Sequence, residues 1–256
     1  MKNAKLNWVR LPLDGIENCR ELGGYGTKEG EQIKWHTFLR SSDMGNATEE
    51  DILFLKEYGV ATIIDLRGAD EAETLRNPLA EENFCEYYNI SLFIQPLTDL
   101  TLPQDLDMGE FYISLLEKTT TLKKIFETIN QAKPGTILFH CMAGKDRTGV
   151  LAMLLLGLAG VEKKDIVSNY EVTYSNLESF HKHDILPEGI PIEFLFSKRE
   201  YIAHAYDYII QNYESIENYL RTKNIDQEVI DGVKERLLQG DTNRKEATIG
   251  TSGDRP

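Results

Sequence analysis

Strands alternating with helices, and then helices alone, predict a single α/β domain with a mostly parallel sheet flanked by helices and an all-helical C-terminal end. Three observations carry this. The runs "VATIIDLR" (from Val60) and "TILFHC" (from Thr136) are short, apolar and rich in branched residues, as in strands buried on both faces. Segments with apolar residues at helical spacing separate them. The long apolar stretch "RTGVLAMLLLGLAG" follows the second run after only a polar turn, which makes a strand, a loop and a buried helix.

The elements follow in order. "LGGYGTKEGEQIKWHTFLRS" has glycine punctuation between short half-apolar runs and predicts a hairpin. No helix pattern follows Gly23-Gly24-Tyr25-Gly26, so those glycines read as turn residues and not as a nucleotide loop. "TEEDILFLKEYG" predicts a helix capped by Thr48, with acids in its first turn and Gly59 as its stop. "VATIIDLR" is a strand, an acidic helical stretch comes next, and "YYNISLF" is a second strand. Two prolines and three aspartates mark Gln95 to Asp107 as a loop. "MGEFYISLLEKTTTLKKIFETINQ" is helical in one or two pieces, and Pro134 and Gly135 break it before "TILFHC". The helix "RTGVLAMLLLGLAG" is followed by "KKDIVSNYEVTYSNL", "REYIAHAYDYIIQNYESIENYLRT" and "DQEVIDGVKERLLQG", all near helical period. The domain is expected over 1–240, and the small polar residues of 241–256 form a tail.

The 256 residues carry a formal net charge of −14, which argues against broad binding to nucleic acid or anionic membrane. A small anionic ligand is compatible with it, because local cations and backbone amides outweigh a distant screened field. Cys19, Cys85 and Cys141 are odd in number and widely spaced, so neither a disulfide framework nor a structural metal site is expected. Packing is the expected role of Cys19, and burial is favoured over a redox role for Cys85. The N-terminus lacks a signal-peptide core and the longest apolar run is too short to span a bilayer. A cytoplasmic protein is the default, although a secreted chain written without its leader would read the same way.

The chemistry concentrates in "HCMAGKDRTG". A loop between a strand and a helix N-terminus lies at the carboxyl edge of the sheet, where amide donors and the helix dipole favour an anion. Gly144 permits a tight curve, and Met142, Ala143, Gly144 and Lys145 can aim backbone N–H groups at one phosphate-sized centre. A free thiol has a pKa of about 8.5, and helix-terminus cysteines fall to roughly 3.5–7.5, so Cys141 can present a thiolate. Six positions later, Arg147 can offer a planar fork of donors to the same anion.

This C-x5-R pattern, with His140, Gly144, Thr148 and Gly149 around it, strongly resembles the phosphate-binding loop of the protein tyrosine phosphatase superfamily. Together with "NCRELGGY" and "DLR" at Asp65 to Arg67, it resembles more closely a microbial tyrosine phosphatase family related to dual-specificity and phosphoinositide phosphatases, over most of residues 14–180. The resemblance implies a tyrosine-phosphatase-like fold and a metal-independent, cofactor-free hydrolysis of phosphomonoesters through a phosphocysteine on Cys141. The implied substrates are phosphorylated proteins, on tyrosine or also serine and threonine, or phosphoinositides. Arg147 and the loop amides would bind the phosphoryl oxygens, and Thr148 would donate to the sulfur. His140 would orient the loop, with Asp65 and Arg67 in support.

The general acid is less determined. Asp146, inside the loop, is favoured; Asp107 is second, with Asp99 and Asp105 in the same stretch, and Asp65 is third. Lys145 resembles the lysine of inositol-lipid phosphatases, and the alternative is a solvated ion pair between Lys145 and Asp146. A Walker-type site fails because Asp146 stands where Ser or Thr is required. Sulfur transfer or arsenate reduction would need different spacing or shuttle cysteines near Cys141. The rival of another class is a catalytically inactive phosphate-recognition module. "HKH" at His181 to His183 reads as an exposed loop rather than a metal fragment, and the tyrosines after Arg199 read as a helix stripe packed in the core.

Overall fold

The protein is described by a computed structural model covering residues 6–92, 107–178 and 192–238. Five strands form one sheet in the order β1-β2-β5-β3-β4: β1 (Arg20–Glu21), β2 (Phe38–Ser41), β3 (Val60–Asp65), β4 (Glu86–Asn89) and β5 (Thr136–His140). β1 pairs antiparallel with β2, and every other pairing is parallel. The hairpin expected from the glycine-rich segment is thus present, and its turn region is closed by the Ile33 amide donating to Tyr25 O at 2.9 Å.

Burial explains why the inner strands read as continuous apolar runs. β2, β3 and β5 are buried throughout, whereas β4 is an edge strand exposed along most of its length. Successive residues serve opposite faces. Ile137 and Phe139 of β5 join the larger core cluster, and Leu138 joins the smaller one with Leu39 and Ile63. The strand expected at "YYNISLF" is β4, Glu86–Asn89, and beyond it the Ile90 amide still donates to Asp65 O at 2.8 Å and the Leu92 amide to Leu66 O at 3.1 Å.

The smaller cluster packs under α1 (Glu49–Tyr58), which starts with a capping box: Thr48 accepts from the Asp51 amide, and Asp51 accepts from the Thr48 amide. Gly59 ends it in the left-handed conformation, φ 95°. The short α2 (Ala69–Thr74) follows β3. On the other face lie α3 (Met108–Leu116), α4 (Thr119–Gln131), α5 (Asp146–Leu158), α6 (Lys163–Glu171), α7 (Thr173–Asn176), α8 (Arg199–Tyr213), α9 (Ile216–Thr222) and α10 (Gln227–Leu237). The stretch from Met108 is therefore two helices, as is the stretch from Arg199. α5 is buried on nearly all sides, which accounts for its apolar sequence without a polar face.

Tyr206 and Tyr219 are buried core residues, as expected of the aromatic stripe. Among the described residues no helix is long and apolar enough to cross a membrane. Asp99, Asp105, most of the predicted loop from Gln95, His181 to His183 and the tail 241–256 lie outside the described residues.

Candidate active site

Parallel register aligns the ends of three strands: Ser41 of β2 and Asp65 of β3 both lie opposite His140 of β5. The chain leaves β5 at His140, crosses the carboxyl edge as Cys141–Lys145, and enters α5 at Asp146. Gly144 adopts φ 66°, and a Cβ there would fall 2.3 Å from Ser41 O, so both conformation and space require glycine.

The scaffold grips the loop by its carbonyls. Met142 O accepts from the Asp43 amide at 2.8 Å. Asn18 Nδ2 donates to Ala143 O at 3.0 Å and to Gly144 O at 3.2 Å, and Arg40 Nη2 donates to Gly144 O at 2.7 Å. In a planar trans peptide the next residue's N–H points opposite its carbonyl. Pinning these three carbonyls outward therefore turns the amides of Ala143, Gly144 and Lys145 toward the inside of the loop.

Cys141 is 2% exposed and Arg147 is 6% exposed. Arg147 forms an end-on pair with Glu71 of α2, Nη1 to Oε2 at 2.6 Å and Nη2 to Oε1 at 2.9 Å. Burial works to lower the guanidinium pKa, but the charges of Cys141 and Glu71 outweigh it and push it up. Burial raises Glu71, and the Arg147 bonds overcome this and hold it below its usual range. Glu71 also accepts from the Gly68 amide at 2.8 Å, which fixes α2 to the loop after β3. Thr148 Oγ1 is buried and makes no hydrogen bond to another described residue.

Behind Cys141 lies a buried network. His140 Nδ1 lies 3.2 Å from Cys141 O, and Asn77 Nδ2 lies 3.1 Å from His140 Nε2. Since the carbonyl can only accept and the Asn77 amide donates, the ring is the neutral Nδ1–H tautomer. Burial lowers the His140 pKa in the same direction, against the pull of Asp65. Asp65 pairs with Arg67 Nη2 at 2.7 Å and accepts from Tyr87 Oη at 2.7 Å. Burial alone would raise the Asp65 carboxyl, but His140 beside it and the bonds from Arg67 and Tyr87 carry it down to about 2. Asp65 and Arg67 thus occupy each other at the end of β3.

Lys145 and Asp146 do form an ion pair, 2.7 Å long, but it is not solvated: Lys145 is 1% exposed. Its ammonium also donates to Phe196 O at 3.1 Å and lies 5.7 Å from the centre of the Phe194 ring. Asp146 Oδ1 additionally accepts from Tyr112 Oη at 2.6 Å, and Tyr112 Oη lies 2.5 Å from Tyr170 Oη. Asp107 stands apart from this cluster in its bonding: it N-caps α3, accepting from the Gly109 amide at 2.7 Å and from the Glu110 amide at 3.1 Å.

All three cysteines are free thiols. Burial pushes Cys19 up to about 12 and Cys85 up to about 11, in keeping with packing roles. Sequence reasoning missed Asn18, Arg40, Glu71, Asn77, Tyr112 and Asn169. A cation inside the half-apolar run "FLRSS" was a readable signal for Arg40, since a charge in a buried strand needs a partner. Glu71 carried no such signal, being one of many acids on an acidic helix.

A family model described as the tyrosine phosphatase family matches residues 11–239. The chain belongs to the tyrosine phosphatase family. A tyrosine-protein phosphatase of Nostoc commune is 41% identical over 147 residues, 55% of this chain and 49% of that protein. The chain thus spans about half the length of that relative. A Cupriavidus necator protein bearing a tyrosine-protein phosphatase name is 25% identical over 82% of each chain. The triple specificity protein phosphatase PtpB of Mycobacterium tuberculosis is 28% identical over 40% of this chain and 44% of its own. Among solved structures, Pseudomonas aeruginosa TpbA aligns with 87% of this chain and 99% of its own at 13% identity, with a TM-score of 0.41.

Proposed function

We propose that this chain hydrolyses phosphomonoesters of proteins, phosphotyrosine first among them, through a phosphocysteine on Cys141. The observation that carries the reading is one loop with Cys141 at its start, Arg147 in the helical turn that follows it, and carbonyls pinned by Asp43, Asn18 and Arg40 so that its amides turn inward. A dianionic phosphoryl group fits that concentration of donors.

In the first step the Cys141 thiolate attacks phosphorus, the S–P bond forms, and the bond from phosphorus to the leaving oxygen breaks. Arg147 and the amides of Ala143, Gly144 and Lys145 hold the equatorial oxygens as charge spreads over them. The leaving oxygen takes a proton, and Asp146 is the residue favoured to give it. Tyr112 and Lys145 both bind Oδ1 of Asp146, which anchors the carboxyl by one oxygen and leaves Oδ2 to carry the proton. In the second step water attacks phosphorus, its proton passes to Asp146, and the S–P bond breaks to return the thiolate. The Thr148 hydroxyl, buried and unpaired among the described residues, would donate to the departing sulfur.

Phosphoserine, phosphothreonine and phosphoinositides are the further substrates of this reading. A second phosphate would have to draw Lys145 away from Asp146 and Phe196 O. Turnover of p-nitrophenyl phosphate in EDTA tests the core proposal, with activity expected in the wild type and lost in Cys141→Ser. A folded wild type that binds inorganic phosphate but turns nothing over would replace it with a phosphate-recognition module. Parallel phosphate release from phosphotyrosine peptides, phosphoserine peptides and phosphoinositides ranks the substrates.

A further inference from the structure

The cations around the loop differ in one respect. Arg147 is paired with Glu71, Lys145 with Asp146 and Arg67 with Asp65, and His140 is the neutral tautomer. Each of those charges is therefore offset by a carboxylate or absent. Arg40 is 1% exposed, and among the described residues every partner of its side chain is neutral: Gly144 O, Lys145 O and Asn169 Oδ1. Arg20 behind it is 2% exposed and likewise bonds only neutral groups, Asn18, Asn169 O at 2.7 Å and Thr173 Oγ1 at 2.9 Å.

A buried guanidinium held only by neutral acceptors is costly unless an anion lies nearby. Register places Arg40 opposite Phe139, two residues before Cys141, and its fork reaches under the loop to Gly144 O. We propose that Arg40 is a positioning residue for Cys141: it holds the loop by Gly144 and supplies, from beneath, the uncompensated positive charge that keeps the sulfur ionised. This rests on the reading of Cys141 as the nucleophile. Burial pulls the Arg40 guanidinium down to about 10, and the Cys141 charge is the largest influence opposing that fall, which is the same attraction seen from the other partner. Arg147 faces the substrate and is spoken for by Glu71, so its charge is divided between a carboxylate and a phosphate. Among the described residues Arg40 has no such competitor.

The test measures the thiolate directly. The rate of Cys141 alkylation by iodoacetamide, followed by mass spectrometry of its peptide, is recorded against pH in the absence of any phosphate ester. Arg40→Gln should move the midpoint up by about one pH unit or more, and Arg40→Lys, which keeps the charge, should stay near the wild type. An unmoved midpoint in Arg40→Gln, or a lysine variant shifted as far as the glutamine variant, overturns the proposal. If Arg40→Gln does not fold, Asn169→Asp serves in its place, since it sets a carboxylate 2.8 Å from Arg40 Nη1 without changing side-chain size. Its midpoint should also rise, and an unchanged one overturns the proposal. The functional reading fails separately, by turnover that survives Cys141→Ser.

Discussion

Glu71 holds both terminal nitrogens of Arg147, at 2.6 and 2.9 Å, across 76 residues of sequence. The pair joins α2, which follows β3, to the first turn of α5, which follows β5. An arginine chain has many rotamers, and a bidentate carboxylate selects one. Arg147 is thereby held in one conformation by the fold itself, so the cost of ordering it is met during folding.

Removing that aim should slow catalysis more than it weakens the fold. Glu71→Gln is expected to lower kcat/KM on p-nitrophenyl phosphate by about 100-fold, the scale of a misplacement of roughly 1 Å at a reacting centre. Steady-state kinetics beside a thermal melt would check this. A variant with wild-type kinetics would show that Arg147 orients itself.

Gly144→Ala should cost the loop its shape. The left-handed backbone is worth about 1–2 kcal/mol against a residue with a Cβ, and the 2.3 Å approach to Ser41 O adds a clash with backbone that cannot rotate away. Loss of inorganic phosphate binding together with a lower melting temperature is the expected result. Phosphate binding at wild-type strength would contradict the nest.

Asp65 links stability to acid. Its folded pKa, about 2, lies below the ordinary value of 3.8, so the folded state binds its proton more weakly than the unfolded chain. The contribution is full above pH 4 or so and disappears as pH falls through about 2, a loss on the order of 2 kcal/mol. Urea unfolding between those limits should show a steep decline in the wild type and a flatter one in Asp65→Asn. The Arg67 and Tyr87 bonds act throughout this window, whereas His140 contributes only once it is protonated.

Asp146→Asn should separate leaving groups. Alkyl phosphates need protonation of the departing oxygen and should lose about 100- to 10,000-fold in rate, while p-nitrophenyl phosphate, a good leaving group, should lose much less. Full activity on alkyl phosphates would remove Asp146 from the role. Asp107→Asn, by contrast, keeps an acceptor at the N-cap of α3 and should leave the rate on alkyl phosphates near that of the wild type, whereas Asp107→Ala should cost stability of about 1 kcal/mol as a lost N-cap.

Much of the fold was legible because its signals are local. Thr48 and Asp51 cap a helix, Gly59 ends one, and the buried runs of β3 and β5 mark strands with both faces covered. Cys141, Gly144, Arg147 and Thr148 are fixed in relation to each other by one loop, so short spacing alone brings them together. What joins that loop to the rest is long in sequence: Asn18 reaches Ala143 across 125 residues, Arg40 reaches Gly144 across 104, and Tyr112 reaches Asp146 across 34. No periodicity encodes such contacts, because they arise only when strands and helices distant in sequence pack together. Sequence by itself determined the α/β frame and the placing of Cys141, Gly144, Arg147 and Thr148 on one loop. Tertiary structure decided which carboxylate pairs with Arg147, that Lys145 is buried, and that Arg40 meets only neutral acceptors among the described residues, because charge pairing in a closed interior depends on neighbours in space and not along the chain.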